Sequence, residues 1–82
     1  MELEKFRKWL IEVIGYKKKT AGDVVSRIHR VRKMINLPEQ IEPILMFQLQ
    51  QNEDYRKLSH SVKSQLKKAL LLLSEFQKIK NN

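Results

Sequence analysis

His29 and Arg32 stand three residues apart, and Glu39 and Glu42 repeat that spacing further along. On a helix this interval puts both side chains of a pair on one face. Two carboxylates so placed hold a cation weakly, but beside Pro38 they read as a solvated, charged turn. His29-x-x-Arg32 lies in a basic amphipathic stretch and reads as part of its polar face. No G-x-S-x-G, Gly-rich phosphate loop or H-E-x-x-H is present. The chain has no Cys, which excludes disulfides and thiolate metal sites. Its two His have no H-x-x-x-H spacing, which argues against zinc. Neither enzymatic activity nor a metal or cofactor is expected.

The chemistry that remains is cationic. Seventeen Lys and Arg against nine Asp and Glu give a net charge of +8. Residues 17–33 hold seven bases and one acid, and residues 56–82 again hold seven bases and one acid. Between them, residues 34–55 hold four acids and no base. Two basic segments separated by an acidic one predict a directional surface. Bases on helical faces neutralise phosphates and release counterions. Arg adds bidentate contacts to phosphate or guanine edges. Hydroxyls and first-turn N–H groups donate to phosphate. The candidate nucleic-acid ligands are Lys17, Lys18, Lys19, Thr20, Arg27, Arg30 and Lys33, then His60, Lys63, Ser64 and Lys67. Arg27, Arg30, Lys33, Lys63 and Lys67 are expected on one connected positive face, with Lys17 to Lys19 at its edge. Arg30 and Lys63 sit mid-face and are the expected base-edge readers.

Helices must position these groups. Two Gly and two Pro in 82 residues predict helices joined by short turns. The first helix is expected over 2–14, with Leu3, Phe6, Leu10, Val13 and Ile14 on one face and Trp9 at its border. Gly15 suits the left-handed position that ends a helix. Thr20 with Asp23 resembles a capping box opening the second helix, 21–35. At about 100° per residue, Val24, Ile28, Val31 and Ile35 form its inner stripe. Asn36-Leu37-Pro38 ends it, and residues 38–42 form at most one short turn. Pro43 opens a third helix over 43–52, with Ile44, Leu45, Met46, Phe47 and Leu49 as its apolar set and a break near 51–53. Tyr55 and Leu58 anchor the connection onward. Ser59 or Ser61 caps the last helix, 60–78, whose stripe is Val62, Leu66, Ala69, Leu73 and Phe76. Leu71 points opposite that stripe. Residues 79–82 read as a fraying end.

The length fits one domain. No apolar run reaches the roughly 18 residues of a membrane span. The mixed-charge N-terminus does not resemble a signal peptide, so a cytoplasmic protein is expected.

Phe6-x-x-Trp9-Leu10, then Tyr16 and Lys19-Thr20 before Val25-x-x-Ile28-x-x-Val31, resembles the core-binding domain of tyrosine recombinases, the phage-integrase family. The segment from Ser61 to Leu70, ending in Glu75-Phe76, is similar to that module's final helix. The resemblance spans about residues 3–77. It implies an all-α, SAM-like fold, a small orthogonal bundle of four to five helices. It also implies a role in DNA integration and recombination, with the module clamping one side of duplex DNA. Strand cleavage belongs to a separate domain that carries an Arg, a Lys, an H-x-x-R, a further His or Trp and a Tyr nucleophile. His29-x-x-Arg32 matches those letters in the wrong module, so catalysis is not carried onto it. The competing expectation is a protein-interaction or dimerisation domain, with self-association or a partner on the Leu71 side of the last helix.

Overall fold

The computed structural model describes residues 3–38 and 40–80. Helix α1, Leu3–Trp9, runs on into a π-helical turn, Leu10–Ile14. After these come α2, Lys18–Met34; α3, Pro43–Gln51; α4, Glu53–Arg56; and α5, His60–Lys80. No strand occurs among the described residues. The chain is therefore all-α, with helices near the expected positions. Glu39, the start of the first predicted helix and residues 81–82 of the predicted fraying end lie outside the described residues.

The core forms where α2 and α5 pack, with α1 against both. Phe6, Leu10, Ile28, Val31, Leu49, Leu66, Leu70 and Leu73 are each less than 2% exposed. Burying a side chain of this size contributes roughly 1.5–3 kcal/mol. Both inner stripes follow the helical period: Ala21, Val24, Ile28 and Val31 on α2, and Leu66, Ala69, Leu70 and Leu73 on α5. Trp9 is buried rather than bordering. Its ring lies 6.2 Å from Phe6 and 5.6 Å from Phe76, so three aromatics from α1 and α5 pack as one group.

Three local expectations are corrected. First, the helix over 2–14 is not uniformly α. Gly15 takes φ +90°, and the N–H groups of Gly15 and Tyr16 both donate to the Leu10 carbonyl. The wider π turn rotates its own last residues off the inner face. Val13 and Ile14, expected inside, are exposed, Val13 by 65%. Second, α2 begins at Lys18, not after a Thr20 cap. Lys17 is extended and its carbonyl accepts the Ala21 N–H at 2.9 Å, with no side-chain cap. The chain leaves the Gly15 turn already placed to start coiling, so Thr20 and Asp23 fall inside the helix. Third, α3 buries Leu45 and Leu49, while Ile44 and Phe47 are about 60% exposed. Only one side of this short helix meets the core.

The break before α4 falls at Asn52. Its side-chain oxygen accepts the Tyr55 N–H at 3.1 Å, and its amide donates to the Met34 carbonyl at 3.0 Å. One residue thus caps α4 and the C-terminus of α2. Ser59 caps α5 by accepting the Val62 N–H at 3.3 Å.

Candidate nucleic-acid interface

Helix α2 buries Val24, Ile28 and Val31, so Arg27 and Arg30, one turn apart, emerge along its side. There they meet the first half of α5. Asp23, Ser26, Arg27 and Arg30 face Val62, Gln65 and Leu66 across a groove of about 250 Å³. Arg27 is half-buried and Arg30 exposed. Two guanidinium forks, a hydroxyl, a carboxamide and one carboxylate therefore share a single open groove. It offers donors for phosphate or guanine from the arginines, either kind of bond from Gln65 and Ser26, and an acceptor at Asp23.

Lys33 lies further along α2, lining a second hollow of about 430 Å³ with Arg32, Asn36 and Gln48. Lys63 and Lys67 do not line either hollow. Lys63 stands 100° around α5 from Val62, and Gln65 lies on the other side. The Lys63 ammonium sits 5.8 Å from the centroid of the Tyr55 ring, a cation–π contact with α4. The Tyr55 hydroxyl donates to the Lys63 carbonyl at 3.3 Å. The structure thus brings Arg27 and Arg30 together with Gln65, puts Lys33 in a separate hollow and sets Lys63 and Lys67 on the opposite flank of α5. The single connected positive face expected of these five residues therefore does not form. Ser64 is exposed between these flanks, and His60 opens the helix, also exposed. Lys17, Lys18, Lys19 and Thr20 are exposed over the linker and first turn of α2.

Ser26 and Gln65, which line the groove, and the exposed Lys68 are absent from the ligands expected from the sequence, although Ser26 and Lys68 fall on the polar faces of their helices. Lys68 is exposed one turn beyond Gln65, on the outward side of α5. The signal was present in the i, i+3 spacing of Gln65 and Lys68. Its meaning depends on which flank of α5 meets α2. Among the described residues no three His, Asp or Glu side chains converge to hold a metal ion. No described helix is long and apolar enough to cross a membrane.

No family model, curated protein or solved structure matches this chain.

Proposed function

We propose that the chain is a non-catalytic, cytoplasmic module that binds duplex DNA through the basic faces of α2 and α5. The observation that carries this reading is the groove holding Arg27 and Arg30 against Gln65. Support also comes from the charge distribution and from the resemblance to recombinase core-binding domains. A helix with its side chains is about 10–12 Å across, and the major groove of B-DNA is about 12 Å wide. The first half of α5 fits such a groove, with Ser64 and Lys68 facing the base edges. Arg27 and Arg30 on one flank, and Lys63 and Lys67 on the other, then reach phosphates of opposite strands. Asp23 excludes phosphate from its end of the groove.

The test is anisotropy of a labelled duplex titrated at several salt concentrations. Wild type is expected to bind with a steep salt dependence. The Arg27→Ala/Arg30→Ala variant is expected to bind more weakly, with log K against log salt flatter by about 0.9 per lost phosphate contact. An RNA duplex serves as the second arm, because its deep, narrow major groove does not admit α5. Negligible duplex binding at about 50 mM salt would overturn the reading. The second reading, an interaction module, is favoured by the 58% exposure of Leu71. It forecasts that Leu71→Glu abolishes association while duplex binding is negligible.

A further inference from the structure

Helix α3 carries no charged residue along its nine residues. Its inner side packs Leu45 and Leu49 into the core, yet Ile44 and Phe47 on its outer side are 58% and 60% exposed. Residues three apart on a helix are neighbours, so these two form one apolar patch. Acids stand at both ends: Glu42 before the helix, Glu53 and Asp54 after it, all exposed. Helix α5 offers the counterpart. Leu71 and Ile79, each 58% exposed, lie two turns apart on one i+4 row. Bases stand at both ends of that row: Lys67 and Lys68 before it, Lys78 near its close.

The two surfaces match in length and in sign. Nine residues of α3 span about 14 Å, and Lys67 to Lys78 spans about 16 Å. Each carries exposed apolar side chains between charged ends, acidic on α3 and basic on α5, and the α5 row is interrupted at its middle by the exposed Glu75. The minority charges match as well. Glu75 lies between Leu71 and Ile79, and Arg32 and Lys33 stand across the hollow bordered by Gln48, beside Ile44. One molecule cannot close this contact on itself, because both helices already pack their inner sides into the same core.

We infer that copies of this chain associate head to tail, the outer face of α3 in one copy receiving the Leu71–Ile79 row of α5 in the next. A contact between two different surfaces propagates rather than closing at a dimer. The patches are small, so the association is weak and concentration-dependent. Its apolar contacts use the second half of α5, while Lys67 and Lys68 at the head of the row are shared with the DNA-facing surface; the association itself does not require DNA.

Sedimentation equilibrium of the full chain without DNA, at low salt and up to about 1 mM, tests it. The average mass is expected to rise with concentration beyond that of a dimer. Phe47→Ser and Leu71→Ser, both at exposed positions, should each stay monomeric while keeping wild-type helicity by circular dichroism. Mixed in equal amounts they should form a complex that stops at two copies, since each supplies the surface the other lacks. A wild type that remains monomeric throughout would overturn the inference. So would a dimer that mixing the variants fails to restore. Either result leaves the DNA reading untouched, because no DNA is present.

Discussion

The side-chain oxygen of Gln77 accepts the backbone N–H of Ile41 at 2.8 Å, across 36 residues of chain. Gln77 is 7% exposed, the one buried polar residue among those described. The bond ties the irregular connection between α2 and α3 to the last turns of α5. The Ser74 hydroxyl adds a long contact to the Ile41 carbonyl at 3.5 Å. Gln77→Met keeps the volume and removes the acceptor, stranding the Ile41 N–H. The expected cost is about 1–3 kcal/mol. In a domain of this size each kcal/mol lowers the melting temperature by about 4–8 °C. A urea titration reads the loss. A Gln77→Met protein as stable as wild type would show that the bond holds nothing.

The two glycines are expected to respond to alanine with opposite sign. Gly15 ends the π turn at φ +90°, where a Cβ is strained even though nothing lies within 4 Å of it. Gly15→Ala should cost about 1–2 kcal/mol. Gly22 lies inside α2, and a Cβ there also meets nothing within 4 Å. Gly22→Ala should stabilise by about 0.4–1 kcal/mol by restricting the unfolded chain. Thermal melts of the two variants side by side check both signs.

Burial raises the Tyr55 phenol above its usual value of 10.0. The folded state therefore holds this proton at a pH where the unfolded chain releases it. Unfolding then loses a proton, and stability falls as pH rises above about 10. Below that value the phenol contributes no pH dependence in either state. Tyr55→Phe should flatten this alkaline limb. It should also cost about 0.5–1.5 kcal/mol at neutral pH by removing the hydrogen bond to Lys63. Urea midpoints measured from pH 8 to 11 separate the two effects. An alkaline limb of unchanged slope would mean that another group carries it.

What the sequence made legible was whatever repeats at the helical period. Val24, Ile28 and Val31 could be assigned to the core because their spacing alone puts them on one stripe, and Leu66, Ala69 and Leu73 likewise. What stayed hidden depends on distant partners. Val13 and Ile14 fit the stripe of α1 until Gly15 and Tyr16 both claim the Leu10 carbonyl and widen the turn. Gln77 reads as a surface residue until Ile41 arrives from elsewhere in the chain. Asn52 reads only as a break, yet it holds the end of α2 as well. At the candidate interface the bases were legible but their grouping was not. Whether Arg27 meets Gln65 or Lys63 is decided by which flank of α5 packs beside α2, and no local pattern encodes that.

The flanking lysines give the sharpest check on how α5 meets DNA. Lys63 and Lys67 are both half-buried, and the Lys63 ammonium is held over the Tyr55 ring, so it starts from a restricted position. If α5 lies in the major groove, they face one strand while Arg27 and Arg30 face the other. Lys63→Ala/Lys67→Ala should then weaken duplex binding alike for all sequences and flatten the salt slope by about 0.9 per lost contact. Losing the Lys63 contact with Tyr55 should cost only about 0.5–1 kcal/mol of stability, leaving the fold intact. Glu42→Gln, in the acidic segment, should leave duplex binding undiminished. Combining the lysine and arginine changes should add their slope losses, since the two pairs neutralise different phosphates. If the lysine variant binds as wild type does while the arginine variant is impaired, α5 does not lie between the strands, and the duplex rests on the α2 groove alone.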